Sequence, residues 1–234
     1  MHNPLDTLPM RFDYYLEIAE KWAGLLKPIV QTNSKKNMQI TELCPGWAPK
    51  ILLALHLISF EGTYIALDES PHALKKLEHF SHQINRSYTF KGHTKNILTD
   101  TFGATDNLIK NHVLDDIILH AYFPDQSSEK MYTREQLVKN WDYISHDSNL
   151  HSTIESITDT LTKKILDEVK NNGFVCIHQY EGYQDKLWNI PFAWEISQKI
   201  CDTLVDKLRS KSTLKEEVIK HTFSTPIFVF SKYV

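Results

Sequence analysis

Glu42-Leu43-Cys44-Pro45-Gly46-Trp47-Ala48 and, 26 positions after Glu42, Asp68-Glu69-Ser70-Pro71-His72-Ala73-Leu74 are the stretches whose reading decides the fold. Met38 to Leu43 is a short strand leading into the first. Thr63 to Leu67, rich in β-formers, leads into the second. Between them Ala48 to Phe60 is apolar almost all round, as a fully buried helix is, and Glu61-Gly62 breaks it. The unit is strand, turn, helix, strand. A turn that brings backbone close to a ligand wants small residues, and an acid ending the second strand can accept both hydroxyls of a ribose. The chemistry alone points to a nucleoside-containing ligand.

Working outward, the same alternation continues. Residues 11–30 read as an amphipathic helix with Tyr15, Ile18, Trp22, Leu25, Leu26 and Ile29 on one face, Pro28 constraining its end, and Gln31 to Asn37 a polar turn. Ser70 to His82 is helical through Leu74, Leu77 and Phe80, and Tyr88 to Lys91 is a weak third strand. Val113 to Ala121, with Ile117-Ile118-Leu119, reads as a strong fourth strand. Thr133 to Gln136 and Ser152 to Glu155 have the form of capping boxes. Ile154, Ile157, Leu161, Ile165 and Val169 give the second of these helices an apolar face, with Gly173 as its stop. Phe174 to Ile177 is a fifth strand, and Phe192 to Leu208 a further helical stripe. Glu217 to Phe223 and Pro226 to Val234 form a closing hairpin. Strands alternating with helices imply a mainly parallel sheet covered on both faces. Ligands of such sheets bind beyond the carboxyl ends of the strands, which singles out the loops at 42–48, 68–71, 91–97, 120–127 and 178–189.

Composition removes other classes. The chain has 234 residues, 41% of them hydrophobic, and a formal net charge of −3, so no global positive field favours nucleic acid. The longest apolar run, Ile51 to Phe60, is broken by His56 and Ser59 and falls short of the roughly 18 residues of a membrane span. Cys44, Cys176 and Cys201 are odd in number and far apart, which fits neither a disulfide framework nor a CxxC zinc site. His79 with His82, and Asp142 with His146, share helical faces but lack a third ligand, so no metal is expected. The opening Met1-His2-Asn3-Pro4-Leu5-Asp6 has no basic n-region followed by an apolar one, and a cytoplasmic location is expected.

The order of these features resembles the class I S-adenosylmethionine (SAM) dependent methyltransferases. Glu42 matches the acid of motif I, which in that family meets the methionine end of the cofactor, and Gly46 matches its middle glycine. Asp68 matches the ribose-binding acid, and Asp68-x-Ser70-Pro71-x-x-Leu74 is similar to the family's continuation of that strand. Gly92-His93-Thr94-Lys95-Asn96-Ile97 stands at the adenine-side loop. Asp115-Asp116-Ile117-Ile118-Leu119-His120 resembles motif IV, and Pro226 to Lys232 the last, antiparallel strand. The sequence departs from the family where Cys44 and Ala48 replace motif-I glycines and His93 replaces an acid. Cys44 fits such a turn only with negative φ, and Pro45 holds it extended.

The resemblance implies a Rossmann-like methyltransferase fold: a mainly parallel seven-stranded sheet with an antiparallel last strand and helices on both faces. Residues 38–234 form this domain and residues 1–37 an N-terminal helical cap. The expected cofactor is SAM, held by Glu42, Cys44, Gly46, Asp68, Glu69, His93, Thr94 and His120. His120 and Tyr122 are the candidate catalytic residues, His120 as a general base ending strand four. Tyr15, His178 and Tyr180 are candidates for substrate binding, with Tyr14 beside Tyr15 in a lid, and Tyr183, Trp188 and Phe192 adding aromatic character to the acceptor pocket. Each has a plain alternative: a capping acid, a loop histidine, a packed tyrosine. The expected partner is a small-molecule methyl acceptor, with neither nucleic acid nor membrane, and the insertion at 124–170 is either a lid or a homodimer face. The altered motif I leaves a second reading, a non-catalytic member of the fold serving as a binding or scaffold module. A nicotinamide oxidoreductase is disfavoured, because Gly-x-Gly-x-x-Gly is absent.

Overall fold

The computed structural model describes residues 12–32, 38–84, 87–126 and 131–233. Seven strands form one sheet in the order β3-β2-β1-β4-β5-β7-β6. Its left half is β1 (Met38–Leu43), β2 (Gly62–Asp68) and β3 (Thr89–Thr94), joined by α2 (Lys50–Leu57) and α3 (Pro71–Gln83). Its right half is β4 (Thr105–Asn111), β5 (Val169–His178), β6 (Leu214–Glu217) and β7 (Ile227–Lys232). The first five strands pair in parallel, whereas β7 runs antiparallel to both β5 and β6. This is the sheet the sequence implies.

Two apolar layers sandwich the sheet. One packs α1 (Phe12–Thr32), α2 and α3 on residues such as Ile40, Tyr64 and Ile109. The other packs α4 (Leu114–Tyr122), α5 (Arg134–His146), α6 (Leu150–Glu168) and α8 (Pro191–Arg209) on Leu43, Leu108 and Val175, with α7 (Tyr183–Trp188) leading into α8. None of the described helices is long and apolar enough to cross a membrane.

The fourth strand is not where the sequence placed it. Val113 to Ala121 lies in and beside a helix, α4, and β4 is the polar-looking stretch Thr105–Asn111. Leu114, Ile117 and Ile118 recur at helical spacing and are buried, and a short apolar run does not by itself distinguish strand from helix. β4 escaped notice because its polar side chains are satisfied inside the sheet. Thr41 Oγ1 donates to Thr105 Oγ1 at 2.7 Å, and Asn107 bonds the Gln39 carbonyl and the Phe174 amide.

Three smaller corrections follow. Pro28 does not end α1, which continues to Thr32. Ser152 is not a cap: α6 begins at Leu150, and the Ser152 hydroxyl donates to the Asn149 carbonyl. Gly173 lies within β5, where a Cβ would come 1.9 Å from the Asp106 carbonyl oxygen. There the β4–β5 pairing jumps from Thr105↔Val169 to Asn107↔Phe174, and Asn172 takes φ +63° to round the bulge.

Candidate functional site

The site is built first by the β1–α2 turn. Cys44 has φ +47° and Gly46 φ +60°. The expectation that Cys44 keeps negative φ is therefore overturned: the turn demands the left-handed region that a glycine occupies freely, and Cys44 adopts it despite its Cβ and the following proline. Two bonds hold the turn against β2. The Cys44 amide donates to the Leu67 carbonyl at 2.7 Å, and the Gly46 amide donates to Asp68 Oδ2 at 2.9 Å. Asp68 Oδ1 accepts from the Ser70 amide at 2.8 Å, and Ser70 Oγ caps α3 through the Ala73 amide. Asp68 is thus a hub tying turn, strand and helix, with burial pushing its carboxyl above the ordinary range. A Cβ on Gly46 would meet nothing within 4 Å, so the turn is open on its outer side.

His93 and Thr94 pair with Leu67 and Asp68 and are exposed at the end of β3, on the same edge. Glu69 meets His120: Nδ1 to Oε2 is 3.0 Å, and this contact raises the His120 pKa. His120 consequently stands beside the β2 end, two turns into α4, and not at the end of strand four. Tyr122 donates instead to Asp147 Oδ2 at 2.7 Å, a contact with the start of the α5–α6 connection. Asp115 and Asp116 do not open a strand. They sit in the first turn of α4, where a helix N-terminus favours anions.

Glu42 is 1% exposed and accepts a hydrogen bond from the Tyr64 hydroxyl at 2.5 Å. Desolvation pushes it up to about 8. Its carboxyl is thus committed to Tyr64, whereas the resemblance implies an acid that meets the methionine end of the cofactor.

The right half of the edge carries residues the sequence reading passed over. His112, which directly follows β4, has φ +54° and stacks on Tyr180 with ring centroids 4.4 Å apart. Gln179 Oε1 accepts from the Leu114 amide, which turns its Nε2 toward His112 Nδ1 at 3.3 Å. His112 Nε2 then faces Asp115 Oδ2 at 3.5 Å. Dense packing pushes His112 down to about 4 and both Asp115 and Asp116 upward, Asp116 further through the charge of Asp115. Tyr132 donates to Asp116 Oδ1 at 2.5 Å.

Tyr180 accepts from Lys50 Nζ at 2.7 Å, and its ring lies 4.8 Å from that of His178. His178 Nε2 lies 2.8 Å from the Thr225 hydroxyl, and Trp22 and Phe223 close edge-on around the ring. Burial pushes His178 down to about 3. Tyr15 packs edge-on against Trp47 at the tip of the first turn; the Tyr14 and Tyr183 side chains lie outside the described residues. Phe192 is placed apart from Tyr180, against His146, and Trp188 packs on the α4–α8 core. Lys110, at the end of β4 and 1% exposed, is pushed down to about 7 by burial.

Buried polar atoms without a partner among the described residues gather here. Lys110 Nζ, Asn111 Oδ1, Asp115 Oδ1 and His178 Nδ1 all lie at or just beyond the carboxyl ends of β4 and β5, and Trp22 Nε1 belongs to the ring that packs on His178. Perturbed and unsatisfied groups concentrated at one edge make that edge the candidate site. The sequence signal that could have found His112 and Lys110 was β4 itself, once Asp106 to Asn111 is read as the strand. Among the described residues no set of His, Cys, Asp and Glu side chains could hold a metal ion.

No family model matches the sequence, and no curated protein matches it. Solved structures do. The plantazolicin methyltransferase BpumL in complex with SAH superposes with a TM-score of 0.51 at 8% identity, over 88% of this chain and 69% of that one. BpumL with a monoazolic desmethylPZN analog and SAH gives 0.50 at 9% identity, over the same shares. The apo form of the S-adenosylmethionine-dependent methyltransferase SibL gives 0.49 at 13% identity, over 98% of this chain and 61% of that one. The likeness to BpumL is one of fold: the chain has the Rossmann-like fold of class I methyltransferases.

Proposed function

We propose that this chain is a SAM-dependent methyltransferase acting on a small molecule. The observation that carries the reading is the Asp68 hub. Its carboxylate ends β2, holds the β1–α2 turn through Gly46, and leaves that turn open outward. Each carboxylate oxygen accepts one backbone amide and has capacity for a second donor, so ribose hydroxyls fit the donor set. His93, Thr94, and Glu69 with His120 would border the adenosine. Bound SAM supplies a methyl group on a sulfonium, an electrophile needing only in-line placement of an acceptor. That SAH accompanies BpumL supports the choice of cofactor.

Strand four delivers the acceptor side. Asp115 is the residue we assign to receive an acceptor proton. Its Oδ2 lies 3.5 Å from His112 Nε2, its Oδ1 has no partner among the described residues, and burial raises its pKa towards neutrality, where a general base works best. His120, assigned that role on sequence grounds, belongs to the cofactor side. The net charge of −3 supports a small acceptor over nucleic acid.

Calorimetric titration with SAM tests the reading. Wild type should bind in the range of about 1–100 μM, and Asp68→Ala, checked for folding by circular dichroism, should show no binding. A folded wild type that does not bind SAM would overturn the enzyme and favour the scaffold reading. The commitment of Glu42 to Tyr64 is the observation on that second side.

A further inference from the structure

The neighbours of His112 decide which of its ring nitrogens carries a proton. His112 sits just past β4 at φ +54°, its amide donating to the His178 carbonyl at 2.8 Å and its ring stacked on Tyr180 at 4.4 Å. Backbone and ring are both held, so each nitrogen faces a defined set of groups. On the Nδ1 side stands Gln179, which is 3% exposed. The Leu114 amide can only donate, so the Gln179 atom 3.3 Å from it is the carbonyl oxygen. The other arm of that side chain is then its NH2 group, which donates and accepts nothing, and it lies 3.3 Å from His112 Nδ1. A donor in that position requires a lone pair on Nδ1.

The Nε2 side has the opposite character. Asp115 Oδ2 lies 3.5 Å from it. Gly182 borders the same atom: a Cβ there would come 3.0 Å from His112 Nε2 and 2.7 Å from Asp185 Oδ2, so a second carboxylate stands on this side of the ring, next to a residue with no side chain. Burial, with Lys50 adding to it, keeps the ring from taking a second proton at neutral pH against the pull of Asp116 and Asp185. The ring therefore carries one proton. The Tyr180 carbonyl is a further acceptor for it, and the hydrogen-bonding sense of Gln179 puts it on Nε2.

We propose that Gln179 is a positioning residue: it holds the ring proton of His112 on Nε2 and so keeps Asp115 a proton-accepting carboxylate, suited to an acceptor molecule that brings an O–H or N–H. This rests on the reading above in which Asp115 receives the acceptor's proton. With the proton on Nε2, a positive hydrogen faces Asp115 Oδ2, and Oδ1, buried and without a partner among the described residues, is left to accept. With the proton on Nδ1, a lone pair would face Oδ2 instead, and only a protonated Asp115 would suit it. The same carboxyl would then donate a proton rather than receive one. The orientation of one buried side-chain amide thus selects between a base and an acid.

Nitrogen-15 NMR of the labelled protein at pH 8, without added SAM, reads the tautomer. With His112 assigned through His112→Gln, Nδ1 should resonate far downfield, as an unprotonated nitrogen does, and Nε2 upfield, as a protonated one does. A coupling across the hydrogen bond should link Gln179 Nε2 to His112 Nδ1, and the Asp115 carboxyl carbon should have the shift of a carboxylate. Gln179→Glu replaces the donor by an acceptor and should bring a proton onto Nδ1, whereas a Gln179 that only packs would leave the tautomer unchanged. A protonated Nδ1 or a protonated Asp115 in the wild type would overturn the proposal, as would a folded Gln179→Glu whose Nδ1 stays bare. Where Gln179→Glu does not fold, the wild-type shifts and coupling decide. None of these signals needs bound SAM, so failure here leaves the cofactor reading to its own titration.

Discussion

Glu42 is a carboxylic acid where water does not reach, and its proton should be visible in the stability of the protein. Unfolded, it releases that proton near its ordinary 4.5; folded, it holds it up to about 8. Between those values the unfolded chain binds fewer protons than the folded one, so this group's stabilising contribution is lost as pH rises. Glu42→Gln carries no such proton. Its melting temperature should gain on wild type as pH goes from 5 to 8, and a constant difference across that window would refute the assignment. Cys44 tests the turn next to it. A β-branched side chain is far less tolerant of φ +47° than cysteine, and glycine adopts it freely. Urea unfolding should show Cys44→Val losing about 2 kcal/mol or more, with Cys44→Gly within about 1 kcal/mol of wild type. The sequence made Cys44 suspect for the right reason, its Cβ, but could not tell that neighbouring bonds from Leu67 and Asp68 would hold it in the strained region.

At the scale of elements, legibility followed whether local pattern and environment agree. β1 was readable to the residue, and β2 and α3 to within one residue at each end, because strand-forming runs and a Ser-Pro start coincide with what tertiary packing requires. β4 and α4 were exchanged for the opposite reason. The strand is buried but polar, its partners lying on Gln39, Thr41 and Phe174, far away in sequence, while the helix is short and its consecutive Ile117-Ile118-Leu119 reads equally as a strand. The exchange is why His112 and Asp115, which the proposed reading puts on the acceptor side, were passed over in favour of His120 and Tyr122. The β4–β5 bulge makes its own prediction. Gly173→Ala would drive a methyl into the Asp106 carbonyl at 1.9 Å, with two backbones fixed by the sheet and little room to relax. A loss of roughly 3 kcal/mol or more in chemical denaturation is expected, and a neutral outcome would mean that the bulge is malleable.

Across the whole molecule, the fold was readable because alternation of strand and helix constrains topology more tightly than any one motif does. The candidate site was readable on its left half and, on the right, at His178 and Tyr180 beyond β5. Asp68 and Gly46 announce themselves by position, whereas the rest of the right half exists only after folding, when Lys50, the His112–Asp115 connection and His178 arrive from three separate segments. A sequence shows none of that convergence.

The position of β7 has a consequence in time. It lies between β5 and β6, and its Lys232 ammonium bonds the carbonyls of Leu166 and Val169 where α6 gives way to β5. A ribosome delivers residues 227–232 after every other strand. Until then β5 presents an unpaired edge to the cell, and β6 has no neighbour within the sheet. The nascent protein can therefore assemble its β1–β4 half early, but from the completion of β5 until its last residues are made it carries an open, strand-accepting flank.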